Sequence, residues 1–133
     1  MIDLTSVQID DLVERARSAR VRAYAPYSGF SVGAAVRTAL GNVHAGCNVE
    51  NASYGATLCA ERVALGCMVA AGELSAVAIA VYTEATTPAM PCGICRQSLL
   101  ELGDELIVIV AGPGGVEKMP LSELLPRPFV RRP

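Results

Sequence analysis

Charged side chains are scarce in this chain of 133 residues: they make up 18% of it, against about 25% in ordinary soluble domains. Eleven Lys and Arg nearly cancel thirteen Asp and Glu, leaving a net charge of −2. The only basic concentration is Arg127, Arg131 and Arg132 near the end. A nucleic-acid binder would normally carry a basic face, so no nucleic-acid partner is expected, and a small neutral substrate is compatible with the balance. Long apolar runs are also missing. The longest, residues 63–72, contains glycine and is flanked by Arg62 and Glu73; a membrane span needs roughly 20 apolar residues, so no membrane partner is expected. The start, M-I-D-L-T-S, has neither the basic opening nor the apolar core of a secretory leader. A cytoplasmic location is therefore expected, where thiols stay reduced and clustered cysteines more often bind metal than pair. Repeats, low-complexity segments and linkers are absent, and one domain over residues 1–133 is expected. Histidine occurs once, as His44, where a surface role is expected rather than metal ligation.

Hydrophobic residues, by contrast, reach 52%. With so few charges to cover it, part of the apolar surface is expected to close against other copies of the chain. The hydrophobic periodicity predicts a helix over residues 5 to about 24, capped by Thr5 or Ser6, with Ile9, Leu12, Val13, Ala16, Ala19 and Ala23 on one stripe. Two strands follow, 30–39 and 43–50, joined at L-G-N. A second helix, 58 to about 73, is apolar on nearly every face and should be buried all round. A strand at 76–82, a loop with two prolines, a third helix from 92 to Gly103, and a strand at 106–110 come next. The G-P-G-G-V turn, a fifth strand and a short terminal helix complete the chain, with a frayed Arg131–Arg132 tail. This order predicts an α/β fold, with a mixed sheet of about five strands and helices on its faces. The first two strands should form a hairpin, and the helix-linked ones should run parallel.

Five cysteines stand at 47, 59, 67, 92 and 95. Cys92 and Cys95 make a C-x-x-C at a predicted helix start, so both sulfurs can face one ion. Cys59 opens the other buried helix in C-A-E-R. Zinc takes four ligands in a tetrahedron, and a catalytic site keeps one position for water. Helix N-termini favour thiolate over thiol. Three thiolates on Zn²⁺ leave one net negative charge, which two helix N-termini and Arg62 could offset. Glu61 sits in a segment nearly free of charge, where a carboxylate is costly unless paired or used; general acid/base work beside a metal-bound water is one such use. Cys47 and Cys67 read as small buried hydrophobes. Taken alone, the C-x-x-C could equally be a redox pair or a structural zinc clip.

C-A-E-R at 59–62 with P-C-G-I-C-R-Q at 91–97 resembles the zinc signature of cytidine deaminases, a known signature of that family. Y-S-G-F-S-V-G-A-A-V at 27–36 and G-C-N-V-E-N-A-S-Y-G at 46–55 resemble its substrate-binding stretches, and L-L-P-R-P-F at 124–129 resembles its C-terminal segment. The resemblance implies a three-layer αβα fold and hydrolytic deamination of cytidine and 2′-deoxycytidine, with release of ammonia, as in pyrimidine salvage. It implies one Zn²⁺ per subunit on Cys59, Cys92 and Cys95, with Glu61 as proton shuttle and Arg62 bonded to the thiolates. Asn48 and Glu50 would hold the ribose hydroxyls, Phe30 would pack on the pyrimidine, and Ala60 would offer backbone contacts near the base. Tyr54 and Phe129 would reach a neighbouring site in a homotetramer with shared active sites. Two departures stand out: Ser31 where Pro is common, and the R-P-F-V-R-R-P end.

Three rivals stay open at this point. Deaminases of deoxycytidylate, free bases or RNA typically open the first motif with His, and a nucleotide enzyme would need phosphate-binding cations beyond Arg62 and Arg96. A blasticidin-type aminonucleoside deaminase shares the C-A-E motif. A non-enzymatic structural zinc protein would supply a fourth protein ligand.

Overall fold

The computed structural model describes residues 3–131. The first helix, α1 (Ser6–Arg20), begins with a capping box: the Thr5 hydroxyl accepts from the Gln8 amide, and the Gln8 side chain accepts from the Thr5 amide. Two otherwise unpaired donors are thereby satisfied. The helix ends about four residues before the sequence reading placed it. Pro26 disfavours helical geometry just before itself, and Tyr24 leaves α1 to pair with the strand-like segment at Val49, its amide donating to the Asn48 carbonyl at 3.0 Å.

The strands β1 (Gly33–Thr38), β2 (Val43–Cys47), β3 (Ala76–Tyr82), β4 (Ile107–Gly112) and β5 (Gly115–Pro120) form one sheet in the order β2-β1-β3-β4-β5. β1 pairs antiparallel with both β2 and β3; β3 and β4 are parallel; β4 and β5 are antiparallel. The hairpin and the parallel crossover through α3 (Gly93–Leu102) are thus as expected. The helix α2 (Ala60–Ala70) links β2 to β3, which are co-directional with β1 between them.

The layers follow from strand alternation. Ala35, Ala78, Ala80, Tyr82, Ile109 and Ala111 face α1 through Leu12 and Ala16. Ala34, Val36, Ile79, Val108 and Val110 face the opposite way, into a core with Ala64, Leu65 and Met68 of α2, Leu99 of α3 and Leu121 of the short α4 (Leu121–Leu124). This is the expected three-layer αβα arrangement. The sheet is small-residue-rich where the helices press closest. A Cβ on Gly46 would lie 2.5 Å from the Ala64 amide nitrogen of α2, and one on Gly33 would lie 1.8 Å from the Ala16 carbonyl oxygen of α1. Both contacts are to backbone, so a larger residue would force a helix away.

Several sequence expectations need correction. β1 starts at Gly33 rather than at 30 because the Asn48 side chain replaces the ladder there: Oδ1 accepts from the Val32 amide at 2.8 Å, and Nδ2 donates to the Phe30 carbonyl at 2.9 Å. β2 stops at Cys47 rather than at 50 because Val49 leaves β1 and zips to Leu58 by two 2.9 Å backbone bonds. That pairing also keeps Leu58 out of α2, which begins two residues later than expected and ends at Ala70 rather than 73. Finally, α2 is not buried all round. Ala60, Glu61, Ala64, Leu65 and Met68 are buried, but Gly66, Cys67, Val69 and Ala70 are exposed. Cys67 is therefore not the buried hydrophobe expected, and Cys47 is half-buried. β4 also runs to Gly112 rather than 110. Arg131 is exposed as a tail residue would be, and Arg132 lies outside the described residues.

His44 is half-buried and tied to the segment just after α2, its Nε2 lying 2.9 Å from Glu73 Oε2. Asn42 donates to the same oxygen at 3.2 Å. The bonds from His44, Thr38 and Asn42 hold the Glu73 carboxyl below its ordinary value of 4.5. A depressed carboxyl stabilises the fold above its unfolded pKa, and that contribution is lost as pH falls through the folded value. Glu73→Gln should accordingly lower the melting temperature at pH 7, and the gap from the unchanged chain should close as the pH drops below 4.5. An equal gap at pH 7 and pH 3 in thermal melts would contradict this.

Candidate active site

Two helix starts converge on one spot. Cys59 is the N-cap of α2 and Cys92 the N-cap of α3, both with extended backbone and neither bonding its own helix through the side chain. Cys95 lies one turn into α3 and is fully buried. The sulfurs of Cys59 and Cys92 are 3.9 Å apart, and all three sulfurs lie within 4.8 Å of one another. Among the described residues this is the one group of three or more His, Cys, Asp or Glu side chains close enough to share an ion. Three sulfurs at this spacing suit a tetrahedral soft-metal site with one position left over.

The electrostatics favour thiolate at Cys59. Cys59 is drawn down to about 5, first by the Cys95 thiol donating to it, then by Arg62 and Cys92, against the opposing effect of burial. Cys95 is pushed up in turn, since its proton sits on the bond to Cys59. Arg62 Nη2 donates to the Thr57 carbonyl at 3.0 Å and reaches Cys59 Sγ at 3.9 Å. The sulfur contact raises the Arg62 pKa further above its ordinary value. Arg62 thus lies against one of the three sulfurs, that of Cys59. Its buried Nε has no partner among the described residues.

Glu61 occupies the second position of α2 and is only 5% exposed. Since Cys59 is a cap in extended backbone, the pair does not obey the helical rule that positions two apart diverge. Burial, and then the Cys59 charge, push the Glu61 carboxyl above its ordinary range. A cavity of about 200 Å³ opens beside it, lined by Phe30, Asn48, Cys59, Ala60, Glu61 and Cys92 among others. Of the residues singled out in the sequence, those six share this cavity. Among the described residues Glu61 is its single carboxylate.

The other five do not line it: Cys95 belongs to the sulfur cluster but is fully buried, and four more residues are placed elsewhere. Arg62 lies behind the sulfurs, outside the cavity. Glu50 does not line it either: its carboxylate accepts from the Tyr27 amide at 2.9 Å and the Ser28 amide at 3.0 Å, and from the Ser28 hydroxyl. These bonds, the Ser28 hydroxyl foremost, lower its pKa. Tyr54 is 87% exposed and Phe129 75% exposed, neither reaching the cavity of its own chain. The structure also adds residues that sequence reasoning missed: Val32, Val81, Thr83, Ala89 and Met90. For Thr83 a signal was available, since it continues the alternation of Ile79 and Val81 along β3. Ala89 and Met90, in an irregular loop, had none beyond their nearness to Cys92.

A sequence model of the family described as the cytidine and deoxycytidylate deaminase zinc-binding region matches residues 6–111. A cytidine deaminase of Halalkalibacterium halodurans is 45% identical over 120 residues, covering 89% of this chain and 91% of that protein. The crystal structure of a cytidine deaminase from Burkholderia pseudomallei superposes with a TM-score of 0.87 at 48% identity, covering 95% of this chain and 100% of that one. A blasticidin-S deaminase of Bacillus cereus is more distant, 28% identical over 108 residues, covering 75% of this chain and 77% of that protein. A five-stranded mixed sheet between helices, a cluster of three cysteines at two helix starts, and likeness along nearly the whole chain agree: this protein belongs to the cytidine and deoxycytidylate deaminase family and is a hydrolytic deaminase.

Proposed function

We propose that this chain hydrolyses cytidine and 2′-deoxycytidine to the corresponding uridines, releasing ammonia, with one zinc ion held per subunit by Cys59, Cys92 and Cys95. The observation that carries the reading is that the only carboxylate in the cavity, Glu61, is buried directly beside three sulfurs that converge within 4.8 Å. The donor set fits zinc: soft sulfurs, one of them already drawn toward thiolate, with two helix N-termini and Arg62 to offset their charge. Zinc bound there would supply Lewis acidity that brings the pKa of a water toward neutrality.

The chain's own residues account for the rest. Glu61 takes the proton of the attacking water and delivers it to N3 of the base. The water oxygen bonds to C4 as a hydroxyl; Glu61 then takes the remaining proton from that hydroxyl and passes it to the departing amine, so that the C4–N bond breaks, ammonia leaves and the C4 carbonyl forms. A carboxyl held above its ordinary pKa is suited to taking and returning a proton near neutral pH. Phe30 offers an apolar face to the pyrimidine. Asn48 lines the cavity and keeps a second amide proton beyond its bond to Phe30, so it can still meet a ribose hydroxyl. Glu50 keeps lone pairs beyond its bonds to Ser28 and Tyr27 but lines the adjoining recess, which shares Thr57 with the cavity, so it would meet the ribose only where the sugar extends there.

A nucleoside suits the site better than a nucleotide. Both motif arginines are engaged within the protein, Arg62 with Thr57 and Cys59, Arg96 with the carbonyls of Pro91 and Leu124. Neither is turned to a phosphate. The exposed apolar side of α2, with Tyr54 and Phe129 outside their own cavity, supports a homotetramer in which neighbours complete each site. Sedimentation velocity should then show a species of four chains, whereas a monomer fully active at assay concentration would contradict shared sites. No helix among the described residues is long and apolar enough to cross a membrane, and a cytoplasmic role in pyrimidine salvage fits the reduced cysteines.

The test is ultraviolet: cytidine turnover should disappear when zinc is stripped by a chelator and return when zinc is restored. No loss of the cytosine band by zinc-loaded protein would overturn the reading. Turnover of blasticidin S in its place would move the assignment to the aminonucleoside deaminases.

A further inference from the structure

Arg96 follows Cys95 directly and is half-buried. Its Nε donates to the Pro91 carbonyl at 2.7 Å and its Nη1 to the Leu124 carbonyl at 2.9 Å. Among the described residues no carboxylate forms a salt bridge with it. Its charge is directed entirely at two backbone oxygens. Pro91 is buried and lacks an amide hydrogen, so its carbonyl is its one backbone hydrogen-bonding group. That carbonyl shares a rigid peptide plane with the Cys92 nitrogen. Holding it sets the plane from which Cys92 starts. The other anchor, Leu124, is the last residue of α4, whose terminal carbonyls have no partner within so short a helix. The neighbouring Gln97 fastens the same segment further on, its Nε2 donating to the Phe129 carbonyl at 2.9 Å.

We propose that Arg96 is a positioning residue for the sulfur cluster: it orients Cys92 through the Pro91 peptide, braced against the C-terminal segment at Leu124. Arg62 acts on the sulfurs directly, whereas Arg96 acts one peptide away, so the two arginines are not redundant. An arginine suits the task because its planar fork presents two donors at a fixed angle, which the single ammonium of lysine cannot reproduce. The inference rests on the reading of Cys92 as a metal ligand. Groups that orient metal ligands typically change metal affinity by about 10–100-fold when removed.

The test uses full-length protein stripped of metal and titrated with Co²⁺ alone, then with Zn²⁺ against a competing chelator. Arg96→Lys should bind zinc about 10–100-fold more weakly, alter the thiolate-to-cobalt absorption, and lower kcat while KM for cytidine stays near its original value. Gln97→Ala should leave zinc affinity unchanged and make the C-terminal residues easier for a carboxypeptidase to remove. An Arg96→Lys protein with the original zinc affinity and cobalt spectrum would overturn the inference. So would an Arg96→Lys chain that fails to fold while Gln97→Ala folds, since Arg96 would then serve the fold and not the site. Absence of a thiolate-to-cobalt band in the unchanged protein would instead remove the ligand reading beneath it.

Discussion

Glu61→Ala is expected to keep its zinc and to lose about 10²–10⁴-fold in turnover, the range attributed to a positioned general acid/base. The size of the loss follows from the surroundings. Among the described residues no other carboxylate lines the cavity; its walls are apolar apart from Asn48, two threonines and the sulfurs. Glu50, the nearest acidic candidate from the sequence, is held by Tyr27 and Ser28 in a different recess. No neighbouring group can therefore take over the proton. Metal retention follows as well, because the cluster capable of sharing an ion comprises only Cys59, Cys92 and Cys95 among the described residues. Glu61→Gln sharpens the result by preserving side-chain volume while removing the ionisable oxygen. Metal analysis paired with the ultraviolet assay checks both halves, and a zinc-loaded Glu61→Ala protein turning over at near-normal rate would remove Glu61 from the chemistry.

Cys59→Ala should lose both metal and activity. Cys59 is the one cluster sulfur that α2 supplies, and the bonds from Cys95, Arg62 and Cys92 meet on it. Without it two sulfurs of α3 remain, an incomplete set for a closed tetrahedral ion. Arg62 would also lose its sulfur partner in a spot where its Nε already has none. Cys67→Ala serves as the control: Cys67 is exposed on the outer side of α2 and outside the cluster, so zinc content should stay unchanged. Metal-to-protein ratios for the two variants decide the matter, and a Cys59→Ala protein with full zinc would refute the ligand assignment.

Much of this site was readable before any coordinates. Periodicity and breakers located all four longer helices and strands that carry it: α2, α3, β3 and β4. The spacing of Cys92 and Cys95, with Cys59 at another helix start, pointed to a metal cluster because those positions inherit local geometry from the helix. Element ends were less legible, and for one recurrent reason. At Phe30, Val49 and Leu58 the chain exchanges regular ladder bonds for long-range ones, and a residue such as Asn48 gives no local sign that its side chain will replace a strand's backbone partner.

The amino-acid order alone determined which chemistry this protein carries. Thiol, carboxylate and guanidinium are fixed by residue type, and short spacings at helix starts leave them few directions to face. Only the tertiary structure decided which of these groups meet. It brought Cys59 to Cys92 across 33 positions of chain, left Glu61 as the single carboxylate in the cavity, and turned Glu50, Tyr54 and Phe129 elsewhere. It also exposed the outer side of α2, which composition had marked as buried. The physical reason is that burial and encounter depend on how the layers pack, and packing is set by contacts between residues far apart in the chain.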